Sequence, residues 1–531
     1  MSLSYNYDKR NQKDILRHAK KLEKHVVGDV YALELNGEKR QDLLKKYAER
    51  NIKGWIDENG VVHKGDKGLI GFLVQDIYFG EPKDNKSESD LKEAGVELKV
   101  SPLIRKPRAG LKVKERLVLG MIKRFKKLPE NFYDSHIYEK CKLMMLVYYI
   151  DESNQNVTPF KFPFYKSAYV KIPEADMAMI EQDYRYIRDC VNNKKYDDLH
   201  ECNAYYLSPC PKNNRRAFSL KLSYMNRLFS EYIDKDVLLY EPEKKKTVSP
   251  HLKPIIKNPK QLKKESFETI VKRRFNRYKG KTVEQIRPKF HHLETGGKKV
   301  AVDKAEYARA TMTMLGVDTD QAEEFVKAGV YVKTLRVNKN GTMNENISFS
   351  AFDFSDLLEE KWKESTVYKE MVNRRFLWSV FKENEKGEYV FHGAIFWSMP
   401  QDDEKIIKKG WEDIRDIIRA GIKFVKDVND DGSPILTTRG KNRILNNFPD
   451  SRNTDKNRKE YRLCPSPKPY NRIISIRPHA SLVYYDLKSI GYKDTGNPRC
   501  NGSCLPNGDV MTKQCFWFNN EYILEQIKEI L

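Results

Sequence analysis

Within the run Ser89-Asp90-Leu91-Lys92-Glu93-Ala94-Gly95-Val96-Glu97-Leu98-Lys99-Val100, three residues have the types and spacing to cut a phosphodiester: Asp90, Glu97 and Lys99. Two carboxylates can share a hard divalent cation such as Mg²⁺, with Mn²⁺ as a substitute. An ammonium beside them can hold the attacking water and offset charge building on a phosphate. Gly95 to Val100 reads as a short strand with an apolar row at Val96, Leu98 and Val100. Because side chains alternate faces on a strand, Glu97 and Lys99 emerge together on the opposite side. Glu/Lys alternation is also an ordinary solvated strand face where 33% of residues are charged. The spacing therefore names a chemistry without securing it.

The elements around this run must hold it in place. A helical stretch from Gly68 to Tyr78 leads into it, and Cys141 to Lys171 reads as strands separated by polar turns. A helix is expected over 174–193 and another over Asn11 to Val27, where Ile15, Ala19, Leu22 and Val26 share a face and Gly28 supplies a stop. Between 236 and 280, Pro242, Pro250, Pro254 and Pro259 alternate with lysines, among them Lys244, Lys245, Lys246 and Lys257. Proline at that density argues against helix and central strand and for a tether. Beyond it the chain repeats itself. Ala94-Gly95-Val96-Glu97-Leu98-Lys99 returns as Ala328-Gly329-Val330-Tyr331-Val332-Lys333, and Ile172-Pro173-Glu174 returns as Met399-Pro400-Gln401, with Trp411 opposite Tyr184. Matched blocks in the same order imply two domains of one ancestry: residues 1–235, a linker 236–280, and residues 281–531. In the second copy Tyr331 replaces Glu97 and Glu324 stands for Asp90, so its metal site is incomplete and its expected task is binding.

Composition narrows the partner. The chain has 98 Lys and Arg against 75 Asp and Glu, a net charge of +23, which favours a polyanion through neutralised phosphates. The apolar run Leu143 to Ile150 is far too short to span a bilayer, and no signal-peptide core opens the chain. Eight sparse cysteines fit a reduced, cytoplasmic protein, and a zinc loop at Cys500 and Cys504 finds no second close pair to complete it.

At this point the residues resemble a known family, the MutH and Sau-type GATC endonucleases, and within it the two-domain type II restriction enzymes. The resemblance rests on Ala94 to Lys99, Lys114-Glu115-Arg116-Leu117-Val118-Leu119, Arg216-Ala217-Phe218-Ser219-Leu220-Lys221, and Met511-Thr512-Lys513-Gln514 with Phe516-Trp517. It implies an α/β (α+β) fold of two tandem restriction-endonuclease-like domains, each a mixed sheet flanked by helices. It further implies Asp90 and Glu97 as Mg²⁺ ligands, Lys99 and Lys140 as catalytic lysines, and Mg²⁺-dependent double-strand cutting at GATC. Where the family has an additional Glu, this chain has Gln75, which lacks the charge. The family's DNA-reading loop and following strand correspond to Ser208 to Arg216 and Phe218 to Lys221, offering Lys212, Arg215, Arg216 and Lys221. Their second-domain counterparts are Arg477, His479 and Lys513. The implied partners are double-stranded DNA and a second copy of the chain on that DNA, with the C-terminal domain as effector. A strand-nicking repair endonuclease and a non-enzymatic basic DNA-binding protein are the competing readings.

Overall fold

The structure is a computed structural model that describes residues 7–33, 53–56, 62–65, 68–81, 88–106, 110–124, 126–212, 215–235, 252–287, 303–319, 321–343, 347–429, 431–437, 440–448, 471–480, 483–494 and 502–531. The chain divides into two compact units, one of residues 1–270 with 316–329, the other of 271–315 with 330–531.

In the first unit the central strand is β4 (Met144–Ile150), whose sequence MMLVYYI is apolar on both faces, as a strand covered on both sides must be. It runs parallel to β1 (Glu97–Lys106) and antiparallel to β5 (Phe164–Val170), while β2 (Gly110–Val113) turns back on β1. A second, antiparallel sheet places β7 (Arg215–Leu220) between β3 (Leu117–Ile122) and β6 (Leu207–Lys212). Helix α1 (Gln12–Lys21) is capped by the Asn11 side chain and buries Ile15 and Ala19 in the core that also holds Val96, Leu98, Met145 and Val147. Helix α2 (Glu174–Asn192) starts after Pro173 with Glu174 and Asp176 in its first turn, where acids complement the helix dipole.

The second unit repeats this order. Strand β8 (Val330–Val337) runs parallel to β10 (Arg375–Glu383), which pairs antiparallel with β11 (Tyr389–Ser398). In a further sheet β13 (Gln514–Phe518) lies between β9 (Ile347–Phe352) and β12 (Ile474–Pro478). Helix α4 (Gln401–Ala420) starts after Pro400, and its Trp411 is buried as Tyr184 is in α2. A buried bond recurs as well. Tyr224, in helix α3 (Leu222–Leu228), donates to Asp176 Oδ2 at 3.2 Å, and Tyr522, in helix α5 (Asn520–Gln526), donates to Asp403 Oδ2 at 2.8 Å. The tandem restriction-endonuclease-like architecture is present in both halves.

Four expectations are corrected. The first helix stops at Lys21, a 3-10 turn covers Leu22–Lys24, and extended His25 breaks the path before a new helix, Val27–Leu33. Gly28 lies inside that new helix rather than ending the first. A Cβ there would come within 3.1 Å of the Phe160 carbonyl, a closer approach than most side chains make. The segment read as a Pro/Lys tether carries helices Lys260–Lys264 and Phe267–Asn276 and buries Leu252, Ile255, Ile256, Leu262 and Phe267. Pro259 is the N-cap of the first of these, a position that needs no N–H bond. Pro242, Pro250 and Lys244 to Lys246 lie outside the described residues. The boundary at 281 also moves, because Gly316–Gly329 belongs to the first unit. There Lys327 pairs with Asp176 at 2.8 Å, both buried, and Glu324 accepts the amides of Ile255 and Ile256 at 2.8 Å each. Finally, Ser208 to Arg216 is a hairpin rather than a loop, with Lys212 opposite Arg215.

Candidate active site

The spacing between Asp90 and Glu97 is the length of one tight reversal. Leu91 and Val96 exchange backbone bonds of 2.9 and 3.2 Å around a 3-10 turn, Lys92–Ala94, closed by Gly95 at φ 65°. That left-handed residue needs glycine, and Gly329 repeats it at φ 68°. The reversal returns Asp90 to the start of β1, where its Oδ2 accepts the Leu98 amide at 3.1 Å and its own amide donates to Glu97 Oε2 at 3.3 Å.

Glu97 is fully buried and takes two cations. Lys99 Nζ donates to its Oε1, and Lys140 Nζ lies 2.9 Å from the same oxygen. The Lys99 ammonium is also 3.7 Å from Asp90 Oδ2 and 3.3 Å from the Leu98 carbonyl. Three oxygens of β1 and the preceding turn thus converge on one positive charge. Two carboxylates and a carbonyl are the donor set that a hard divalent cation takes, and the ammonium stands where such a cation's charge would be satisfied. Burial raises the Asp90 carboxyl above the usual range and Glu97 adds to the rise, while Lys99 and Lys140 oppose it.

Supporting groups fix these side chains. Lys140 sits in the short helix His136–Cys141, capped by the Ser135 hydroxyl, rather than on a strand. Gln75 lies in a π-helical turn, Leu73–Tyr78, and its Nε2 donates to Asp90 Oδ1 at 3.2 Å. π-Turns within helices recur at functional positions because they re-aim a side chain. In place of an additional acid, Gln75 therefore supplies a donor that orients the existing one.

The expected DNA-facing residues divide. Lys212 and Arg215 are exposed at the end of the β6–β7 hairpin, and Arg216 donates to the Pro209 carbonyl at 3.2 Å. Lys221 instead spends its ammonium on the carbonyls of Ala204 and Ala328, holding the first unit together. In the second unit Arg477 lies over the Trp517 ring at 6.0 Å, the His479 amide bonds the Lys513 carbonyl at 2.9 Å, and Lys513 pairs with Asp353 at 2.7 Å. Tyr331 occupies the start of β8, its ring under Lys333 at 4.7 Å and Arg374 at 4.9 Å.

Sequence reasoning missed Arg374, the Leu98 carbonyl and the Gln75 donor. It also passed over a repeat, Phe132-x-x-Ser135-x-x-Tyr138 against Trp362-x-x-Ser365-x-x-Tyr368, in which each serine caps the same turn. By that repeat the counterpart of Lys140 is Glu370, which accepts from Ser350 at 2.9 and 2.6 Å. Among the described residues no three His, Cys, Asp or Glu gather to hold a metal, and Cys141, Cys190, Cys202, Cys210, Cys504 and Cys515 form no disulfide. Cys464 and Cys500 lie outside the described residues. No described helix is long and apolar enough to cross a membrane.

Comparison with known proteins gives two findings. The family described as DNA mismatch repair enzyme MutH matches residues 79–183 and again 315–410. The type II restriction enzyme Sau3AI of Staphylococcus aureus is 30% identical over 505 residues, spanning 88% of this chain and 94% of that protein. Each matched segment of the family contains one copy of the Ala-Gly-Val block.

Proposed function

The chain belongs to the MutH/Sau3AI-type endonuclease family, and from that premise we propose that it is a type II restriction endonuclease cutting both strands of DNA at GATC with Mg²⁺. The observation that carries this reading is the convergence of Asp90, Glu97, the Leu98 carbonyl and Lys99 at one point of the first unit. Asp90, Glu97 and the Leu98 carbonyl would hold the ion. When bound there, Mg²⁺ supplies Lewis-acid polarisation of the scissile phosphate and lowers the pKa of a water.

The remaining chemistry belongs to the chain. Gln75 fixes the Asp90 carboxylate. Lys140 offsets the charge of buried Glu97, which leaves Lys99 able to orient the attacking water and steady the phosphate as charge builds on it. Lys212 and Arg215, exposed on their hairpin, are suited to DNA phosphates or guanine acceptors. Arg216, the next residue of that strand, emerges on the opposite face, where it donates to the Pro209 carbonyl. The second unit, with a phenol at the place of Glu97, acts as a DNA-binding effector rather than a second cutter, and pairing of two chains on DNA supplies the second cut.

The test is incubation of purified protein with unmethylated plasmid, followed by sequencing of the fragment ends. Linear fragments ending at GATC are expected in Mg²⁺ or Mn²⁺, with binding but no cutting in Ca²⁺, whose larger and looser shell aligns water poorly. Fragment ends at unrelated sequences refute the specificity, and full activity in chelator refutes the metal mechanism. One complete centre per chain also favours a second reading, strand nicking, for which open circles would accumulate without linear product.

A further inference from the structure

The degenerate centre of the second unit has changed charge rather than simply lost function. In the first unit, two carboxylates, Asp90 and Glu97, face two ammonium groups, Lys99 and Lys140. In the second, Tyr331 takes the place of Glu97 while Lys333 keeps the place of Lys99. Glu324, which matches Asp90 in the repeat, belongs to the first unit and is committed there to the amides of Ile255 and Ile256. Glu370, at the Lys140 position, is committed to Ser350. A second cation joins it: Arg374, immediately before β10 and in register with Lys142 of the first unit, which pairs with Glu139, packs on the Tyr331 ring together with Lys333.

Among the described residues, neither cation is paired with a carboxylate. Tyr331 is partly buried against the second core, so its ring is a fixed platform for both. A phenol offers a hydroxyl donor where the first site offers a carboxylate. An ammonium, a guanidinium and a hydroxyl at one point repel a divalent cation and attract an anion with several acceptor oxygens.

We propose that Tyr331, Lys333 and Arg374 form a metal-independent seat for a backbone phosphate of DNA, made from the position where the first unit is built to hold a metal. This deepens the effector reading and rests on it. The second unit then engages DNA in the absence of divalent ions, whereas cutting by the first requires them.

The experiment uses the full chain in chelator, so that nothing is cut, and follows its binding to a short labelled GATC duplex by anisotropy across a salt series. Each phosphate neutralised contributes about 0.9 to the slope of log affinity against log salt. Replacing both cations (Lys333→Gln with Arg374→Gln) should lower that slope by about 1 and weaken binding about tenfold. Tyr331→Glu, which keeps both cations but inserts a carboxylate beneath them, should weaken binding in the same direction. Unfolding curves confirm that the variants are folded, and a double variant that fails to fold leaves Tyr331→Glu to decide. Affinity and slope unchanged within twofold overturn the proposal. Cleavage by Glu97→Ala is measured alongside. If Glu97→Ala still cuts, the nuclease assignment fails whatever the binding data show, so the two failures are distinguishable.

Discussion

Lys140 offers the sharpest test of how the first site is balanced. Its ammonium lies 2.9 Å from an oxygen of Glu97, whose side chain is 0% exposed. A charge-assisted hydrogen bond of this kind contributes about 1.5–3 kcal/mol. In Lys140→Ala the buried carboxylate keeps one partner, Lys99, and draws that ammonium away from Asp90 and from the reacting water. A loss near 2 kcal/mol at the transition state corresponds to roughly a thirtyfold fall in cutting rate. The effect on the metal runs the other way. With one competing cation gone, the site is more negative, so the Mg²⁺ concentration giving half-maximal rate should fall. Single-turnover linearisation of a plasmid, followed across a Mg²⁺ titration, reads both quantities. Lys140→Arg, retaining charge but not shape, should lie between the two. A Lys140→Ala rate within twofold of the parent, or a raised Mg²⁺ requirement, would refute the balance described.

Three further outcomes are expected. Asp90→Ala, Glu97→Ala and Lys99→Ala should each abolish measurable cutting while a gel-shift in Ca²⁺ retains duplex binding, since they act on the transition state more than on ground-state contacts. His18, buried between the Tyr7 and Tyr78 rings, is held neutral with its pKa lowered to about 4 by burial. The unfolded chain binds this proton near 6.5, so stability is full above that pH and falls as pH drops towards 4. About 2 kcal/mol should be lost between pH 8 and pH 5 in urea unfolding of the first unit, and pH-independence of this step in the parent would contradict the burial. A plasmid with two GATC sites should be cut faster than one with a single site at equal site concentration, because a second DNA-binding unit raises the local concentration of its partner; equal rates would leave the second unit a structural support.

Much of the site was legible because its geometry is local. A strand alternates its faces, so Glu97 and Lys99 fell together, whereas Gly95, read as the first residue of that strand, instead closes the turn that returns Asp90 to them. The helix at 174–192 was legible for a similar reason, and its counterpart at 401–420 was marked only by the repeat of Pro173 as Pro400 and of Tyr184 as Trp411. What escaped depends on tertiary contact. The partner of Gln75 is 15 residues away, and the amide is read as a weak ligand until Asp90 is seen beside it. Arg374 stands level with Lys142, a residue the sequence did not single out, so only its packing on the Tyr331 ring identifies it. Proline density suggested a tether because proline was weighed as a breaker, whereas Pro259 begins a helix whose Leu262 is fully packed. Lys212 and Lys221 look equivalent as cations, yet one is exposed and the other is bound to two carbonyls.

The pairing of Lys327 with Asp176 has a consequence for how the protein is made. The two residues are separated by 151 positions, and both are buried in the first unit. On a ribosome adding roughly 5–20 residues per second, Asp176 emerges several seconds to half a minute before its cation exists. The first unit is therefore not finished when its own sheets have been synthesised. It is completed only after Gly316–Gly329 has left the exit tunnel, which places its maturation late in translation and makes any chain released early a carrier of an uncompensated buried acid.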